Sequence, residues 1–305
     1  MKELSTPLMF IIFNRPDTTK RVFEKIREAR PKKLYVVADG PRESVPKDYE
    51  LCQLTRSIVE NIDWDCNVHK NYSDTNLGSR VRPASGFEFV FSQEDEAIIL
   101  EDDCLPHPSF FEYCQQLLKH FKNEEKINII SGSNFLSKFS NKNYDYQYSA
   151  FHHFWGWATW KRSWEKYDID MKEWPLLKKN NLINKILKQR KSVRYWETLF
   201  EEVYNGKIKT AWDYQWIYSS WKNDGLAILP TSNLVSNIGF GENATHTKNK
   251  KHIRSNVPLE GVQFPLVHPP EIKRDVAYDL LLSEYIFKFN RKDQVIRFIK
   301  NVLNL

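Results

Sequence analysis

Glycine and cysteine are scarce in this chain, and each scarcity excludes a class of site. Ten glycines are spread over 305 residues, and none belongs to a GxGxxG run or a Walker-type loop. Any phosphate that the chain binds must therefore be neutralised by something other than a glycine-rich loop. The four cysteines form no CxxC pair, so we expect no structural zinc and a reduced, cytoplasmic setting.

Long apolar runs are also missing, and the sequence therefore predicts no membrane-spanning helix. The first run, from Leu8 to Phe13, is too short to cross a bilayer and precedes no small-residue cleavage site. The net charge of +6 is mild, but basic residues cluster at 248–254 and in the tail 285–305. The tail has apolar residues at helical spacing, so it either packs as a final core helix or lies on the inner membrane surface. Basic and aromatic residues are not interleaved in a nucleic-acid motif, and we expect no nucleic-acid partner.

The first forty residues have the pattern of a βαβ unit. Leu8 to Phe13 and Leu34 to Ala38 are unbroken apolar runs, which is typical of strands that are buried on both faces. Between them, Pro16 to about Ala29 shows the apolar periodicity of a helix that begins with proline. Strand, helix and strand over so short a stretch predict that the sheet begins with parallel strands.

The same alternation continues to about residue 131 and then changes. We expect helices over Leu51–Ile62, Phe87–Phe91 and 109–119, the last capped by Ser109, and strands near Val68, Ala97–Leu100 and Ile127–Ile130. The later sequence is rich in tryptophan, helical from about Leu176 to Val203 and loop-rich from Pro230 to Pro270. The sequence thus predicts an α/β fold with a mixed, largely parallel sheet. Its parts are a nucleotide-binding half at 1–131, a second half at 132–270 that shares the core, and a helical extension at 271–305.

Three adjacent carboxylates, Glu101-Asp102-Asp103, follow the fourth predicted strand. Like charges at the carboxyl end of a buried parallel strand repel one another, and in an open α/β sheet this edge is where ligands bind. A divalent cation such as Mn²⁺ or Mg²⁺ relieves the repulsion and takes its other ligands from phosphate oxygens and water. The alternative is an acidic region that caps the 109–119 helix, which accounts for one carboxylate but not for three.

These motifs together resemble the GT-A glycosyltransferases, and in particular the family of N-acetylglucosaminyltransferase I and its bacterial relatives. The resemblance rests on five short segments between Leu8 and about Thr247, namely Asn14-Arg15-Pro16, Asp39-Gly40, Ile99 to Asp103 before Phe110-Phe111, Trp155-Gly156-Trp157 and Trp212-Asp213. It implies a GT-A fold and an inverting, metal-dependent transfer of a sugar, such as an N-acetylhexosamine from a UDP donor. The acceptor would be a carbohydrate, a lipid-linked glycan or a protein, as in the building of a surface polysaccharide.

The resemblance also implies roles for individual residues on the donor side. Asp103 would bind the metal, Glu101 and Asp102 would contact the ribose and the sugar, and Arg15 and Asp39 would hold the nucleotide. Asn76 and Arg80 are further candidates on the nucleotide side. The alternative for Arg15 and Asp39 is turn chemistry, because both stand where turns need polar residues.

Asp213 is the candidate catalytic base. An inverting transfer needs a carboxylate that takes the proton of the acceptor hydroxyl as that oxygen attacks the anomeric carbon. Flanking aromatic residues would partly desolvate Asp213 and raise its basicity. The related family has Trp-Asp-Asp-Trp here, whereas this chain has Tyr214 in place of the second Asp and one extra residue before Trp216. The alternative is an aspartate that caps a helix.

The remaining candidates are aromatic residues and one histidine. Trp155, Trp157 and Trp212 could place an indole face against an acceptor sugar, or could pack in the core. His246 precedes the basic segment 248–254, which could close over a diphosphate. Two other functions stay open at this point. One is a sugar nucleotidyltransferase, which usually has a glycine-rich basic first loop. The other is a carbohydrate-binding or membrane-peripheral protein of the same fold without activity.

Overall fold

Eight strands form one sheet in the computed structural model, which describes residues 3–240 and 257–285. The strands of the described part are β1 Leu8–Ile12, β2 Lys33–Ala38, β3 Asn67–Tyr72, β4 Glu96–Glu101, β5 Cys104–Pro106, β6 Ile127–Ser131, β7 Tyr146–Ser149, β8 Trp157–Trp160, β9 Leu226–Pro230 and β10 Val235–Asn237. The helices are α1 Pro16–Ala29, α2 Lys47–Ile58, α3 Gly78–Phe91, α4 Ser109–His120, α5 Lys161–Trp164, α6 Trp174–Lys179, α7 Leu182–Ile186, α8 Arg190–Tyr204 and α9 Asp213–Lys222. Residues 276–285 are also helical.

The strand order of the large sheet is β3-β2-β1-β4-β8-β6-β9-β7. Strands β7 and β8 run antiparallel to the other six. The predicted α/β class with a mixed, largely parallel sheet is therefore confirmed. β5 and β10 pair antiparallel in a separate ribbon that begins directly after β4.

The predicted βαβ unit is present, with bounds within a residue or two of those expected. The side chains of β1 and β2 are almost all buried, because helices cover both faces of the sheet. Along α1, Val22, Phe23 and Ile26 point into the core, and each such burial stabilises the fold by roughly 1.5–3 kcal/mol. Pro16 opens the helix, and Arg30 ends it in the left-handed conformation with φ of 48°.

Three local predictions differ from the structure. The helix expected from Leu176 to Val203 is divided into α6, α7 and α8, since Asn181 adopts a left-handed φ of 56° and Leu187 and Gln189 are extended. Ser109 is the first residue of α4 and not its cap, because Pro108 occupies the cap position and no side-chain cap bond is formed. The Trp157–Trp160 segment forms an inserted strand, β8, between β4 and β6.

The face of the sheet beneath α8 and α9 has an aromatic core. Trp157 is fully buried and stacks on Trp212 with 5.6 Å between ring centroids. Trp212 also packs edge-on against Phe87 at 5.0 Å and Phe154 at 4.9 Å. These contacts fix the residue that immediately precedes α9, and so they fix where Asp213 begins that helix.

Strands from both predicted halves join the one sheet, with β6 held between β8 and β9. The boundary at residue 131 itself stays a prediction. Within residues 3–240 and 257–285, none of the helices is both long and apolar enough to cross a membrane.

Candidate active site

The strand order creates a crevice between the ends of β1 and β4. From β1 the chain proceeds outward to β2 and β3, and then returns to place β4 on the other side of β1. This is a topological switch point, where ligands of open α/β sheets bind beyond the carboxyl ends of the strands. Arg15 follows β1 and the acidic triplet follows β4, so both arrive at this crevice.

Two carboxylates of the acidic triplet are buried, Glu101 is half-buried, and all three share one basic partner. The exposed fractions of Asp102 and Asp103 are only 3% and 8%. The Nη1 atom of Arg15 lies 2.5 Å from Oδ2 of Asp103 and 3.5 Å from Oδ1 of Asp102. The backbone N–H of Phe13 donates to Oδ2 of Asp102 at 3.1 Å, which ties the ends of β1 and β4 together. One guanidinium thus balances part of the charge of three neighbouring acids.

The electrostatics of the triplet show that negative charge exceeds positive charge. Burial, together with the charges of Asp103 and Asp102, raises the pKa of Glu101 to about 8, against the opposing charge of Arg15. Burial likewise raises the pKa of Asp102, against the opposing charge of Arg15. The pKa of Arg15 is raised by Asp102 and Asp103 in spite of burial. A second cation at this crevice would reduce the electrostatic repulsion between the carboxylates.

Gly239 forms the wall against which this ion pair packs. The N–H of Ile238 donates to the carbonyl of Asp103 at 2.8 Å, directly after β10 pairs with β5. A Cβ atom on Gly239 would lie 2.6 Å from Cβ of Asp103 and 2.8 Å from Nη1 of Arg15, which is closer than real contacts allow. Only glycine fits here, and we did not predict this residue. The one available signal was that glycine is scarce in this chain.

Asp213 belongs to the other half of the chain. It is the first residue of α9 and is partly buried. Burial raises its pKa to about 6, although the backbone N–H groups of Asp213 and Tyr214 at the helix start lower it. The charge of Asp213 contributes to the raised pKa of Glu101, which places the two carboxylates within electrostatic reach of each other. The fold therefore places the sequence-predicted base within electrostatic reach of one carboxylate of the triplet.

Asp39 is engaged by the loop before α3. Its Oδ1 accepts from the N–H groups of Gly40 at 2.9 Å and Leu77 at 2.8 Å. Its Oδ2 accepts from the N–H of Gly78 at 2.9 Å and from the side-chain amide of Asn76 at 3.0 Å. A carboxylate can accept about four hydrogen bonds, so these four bonds fill the acceptor positions of Asp39. This is the turn-chemistry alternative, and contact between Asp39 or Asn76 and a nucleotide stays a prediction.

The other predicted donor residues are not all at the crevice. Arg80 donates to the carbonyl of Ile169 at 3.0 Å and lies 3.7 Å from Asp170. Its role toward a nucleotide also stays a prediction. His246 and the basic segment 248–254 lie outside the described residues.

The three predicted acceptor tryptophans differ in accessibility. Trp157 is fully buried and Trp212 is only 7% exposed, so neither presents a ring face to a sugar, and the structure gives both the core-packing role. Trp155 is partly exposed and packs edge-on against Phe135 at 4.9 Å and Phe240 at 5.8 Å. Trp155 therefore remains the accessible candidate among the three.

No cluster of three or more histidine, cysteine or carboxylate side chains is arranged to hold a metal ion among the residues that the structure describes. All four cysteines are free thiols. A cation at the crevice would therefore have one or two carboxylate ligands from the described residues.

No protein-family model matches the chain, and no curated protein matches it. Among solved structures, it is similar to an inositol-1-phosphate CTP transferase from T. maritima, with 11% identity, 53% of this chain and 73% of that chain covered, and a TM-score of 0.31. It is similar to a UDP-glucose pyrophosphorylase complexed with UDP-glucose, with 11% identity, coverage of 43% and 64%, and a TM-score of 0.25. It is also similar to a 4-diphosphocytidyl-2C-methyl-D-erythritol synthase from Anaerococcus prevotii, with 11% identity, coverage of 54% and 77%, and a TM-score of 0.33. At these values the similarities assign no activity to this chain.

Proposed function

We propose that this protein is an inverting, metal-dependent glycosyltransferase. It moves a sugar, with an N-acetylhexosamine as the first candidate, from a nucleoside-diphosphate donor to a hydroxyl of a glycan, glycolipid or protein. The observation that supports the proposal is that Asp213 lies within electrostatic reach of Glu101, and Glu101 ends the strand β4 beside the switch point of the sheet. A diphosphate site and a base for the acceptor are the two parts that such a transfer requires.

The described carboxylates fit a divalent cation. The Nη1 atom of Arg15 already lies near two carboxylate oxygens, one from Asp103 and one from Asp102, so this position favours positive charge. Hard cations such as Mn²⁺ and Mg²⁺ are held by one or two carboxylates together with substrate phosphates and water. Asp103 would hold the cation, which when bound neutralises the leaving diphosphate.

Three residues of the chain have separate roles in the proposed transfer. Asp213 accepts the proton of the acceptor hydroxyl, since its pKa of about 6 leaves it ionised at neutral pH yet more basic than an ordinary aspartate. Arg15 donates bidentate hydrogen bonds to donor phosphate oxygens. Trp155 offers a partly exposed indole at the edge of the crevice, where an acceptor sugar ring can stack.

Asp213 distinguishes this function from nucleotidyl transfer. A sugar phosphate attacks a nucleoside triphosphate through an oxygen that is already anionic, so such a reaction does not need a base. A sugar hydroxyl does need one. The raised pKa of Asp213 beside the triplet therefore favours transfer to a hydroxyl.

The proposal is tested by calorimetric titration and thermal shift with UDP, UDP-sugars and other nucleotide-sugars, each with Mn²⁺ and with chelator. We expect one nucleotide-sugar to bind at least about tenfold more tightly with Mn²⁺, a coupling of about 1.4 kcal/mol. Slow release of UDP in the presence of Mn²⁺, by hydrolysis or transfer, should accompany binding. Formation of a nucleotide-sugar from a sugar phosphate and a nucleoside triphosphate would instead establish nucleotidyl transfer. Sugar binding that needs neither nucleotide nor metal would establish a non-catalytic role.

A further inference from the structure

Arg15 occupies the position where the proposed cation would approach Asp103. Its Nη1 lies 2.5 Å from Oδ2 of Asp103 and 3.5 Å from Oδ1 of Asp102. The bare backbone of Gly239 packs against the same nitrogen and closes that side. A cation that reaches Asp103 must therefore displace this guanidinium or remain beside it.

The side chain of Arg15 can leave while its backbone stays in place. The carbonyl of Arg15 accepts from the N–H of Thr19 at 3.0 Å and from its hydroxyl at 2.7 Å, which fixes the start of α1. The side chain is 21% exposed, so it has a path to solvent and to a ligand in the crevice. The ion pair to Asp103 is the part of this arrangement that can be exchanged.

We propose that Arg15 excludes a bare divalent cation from Asp103 and admits it only together with a nucleoside diphosphate. The inference rests on the proposed function. The phosphate oxygens take the guanidinium away from Asp103, and the cation replaces it on the carboxylate. Asp103 and Arg15 then each have an opposite partner both before and after the exchange.

Two physical reasons favour this exchange. A dication near the guanidinium is repelled by it, and the carboxylate oxygen that it needs is already hydrogen-bonded, so binding of the ion alone is weak. Arg15 makes its hydrogen bond to Asp103 through Nη1 alone, whereas a diphosphate can accept two parallel N–H bonds from the guanidinium and carries at least equal charge. Moving the side chain therefore costs little when the nucleotide is present. Coupling of this kind is reciprocal, so the cation should tighten nucleotide binding by the same factor.

The test compares binding of Mn²⁺ alone with binding of Mn²⁺ in the presence of UDP, with free Mn²⁺ measured by electron paramagnetic resonance. Arg15→Gln should bind Mn²⁺ alone about tenfold or more tightly than the parent protein, and the gain from UDP should shrink. Arg15→Lys keeps a positive charge and should still exclude the bare ion. Arg21→Gln is the matched control, because Arg21 lies exposed on the same helix and should behave like the parent. Adding Asp103→Asn to Arg15→Gln should remove the new Mn²⁺ site.

The outcomes separate this inference from the proposed function. If the parent binds Mn²⁺ with UDP but Arg15→Gln binds Mn²⁺ alone no better than the parent, the exclusion by Arg15 is wrong and the function stands. If the parent binds neither UDP nor the Mn²⁺–UDP complex, the function fails, and the inference fails with it. Thermal unfolding of each variant shows whether it is folded, and Arg15→Lys supplies the comparison if Arg15→Gln is not.

Discussion

At the scale of single residues, Asp213 is the group on which the proposed transfer would depend most directly. We expect Asp213→Asn to lower kcat by about 10²–10⁴-fold, because the amide cannot take the proton of the acceptor hydroxyl. Donor binding should change less than twofold, since Arg15 and the triplet are untouched. The measurement is single-turnover transfer together with the Kd of Mn²⁺–UDP. The substitution Asp65→Asn, on an exposed carboxylate far from the crevice, is the matched control.

The ionisation of Asp213 also sets a pH dependence. Burial raises its pKa to about 6, and the base acts only when it is deprotonated, so kcat should rise as pH increases through about 6 and then level off. The raised pKa of Asp213 also makes the stability of the folded protein depend on pH, but in the opposite direction. The folded protein holds this proton more tightly than the unfolded chain, so the contribution of Asp213 to stability falls as pH rises through the same range. A kcat profile without an acid limb near pH 6 would contradict the assignment of Asp213 as the base.

The residue scale also shows where sequence reasoning stops. Glu101, Asp102, Asp103 and Asp213 could be chosen because acidic residues after an apolar run or among tryptophans are unusual locally. The Arg15–Asp103 pair joins residues that are 88 positions apart, and no local pattern encodes such a contact. The contact of Gly239 with Arg15 and Asp103 depends on the pairing of β10 with β5. These two strands are also far apart in the sequence, so no local pattern predicts the contact.

At the scale of elements, the local patterns predicted β1, α1 and β2 well, because burial on both faces and amphipathic periodicity are local properties. β8 was missed, since its short Trp-Ala-Thr-Trp sequence is compatible with a strand or a loop, and its place between β4 and β6 is decided by long-range pairing. The stretch predicted as helical after Leu176 is divided into three helices, because Asn181 is left-handed and Leu187 and Gln189 are extended.

Asp39 illustrates how an element can be positioned by a residue that was predicted to bind ligand. Its carboxylate accepts three backbone N–H groups and one amide, which hold the loop that begins α3. We expect Asp39→Asn to lower the free energy of unfolding by about 1–3 kcal/mol. The side-chain nitrogen of asparagine cannot accept a hydrogen bond, so the N–H groups that it faces would lose their acceptor. The effect should appear in urea unfolding without any nucleotide. Unchanged stability combined with weaker UDP binding would instead support direct contact between Asp39 and the nucleotide. The control is Asp74→Asn, an exposed aspartate of the neighbouring loop.

At the scale of the whole molecule, the sheet makes the two predicted halves depend on each other. β4 pairs with β8, and β6 pairs only with β8 and β9 among the described strands, so the partners of β6 come from beyond residue 131. The acidic triplet therefore stands at the end of a strand that the second half helps to hold, and the second half also supplies Asp213. The proposed donor and acceptor sites would therefore share one core.

A fragment of residues 1–131 should consequently fail to fold as the full chain does. Without β8, the edge of β4 loses its pairing, and without β8 and β9 the apolar strand β6 has no place in the sheet. Exposed strand edges and unburied apolar side chains favour aggregation over a cooperative fold. We expect the fragment to show no sharp thermal transition by circular dichroism and few dispersed amide signals by NMR, whereas the full chain unfolds cooperatively. A fragment that unfolds cooperatively and binds Mn²⁺–UDP would show that the first half is an independent donor-binding domain, and the dependence of the triplet on the second half would then be wrong.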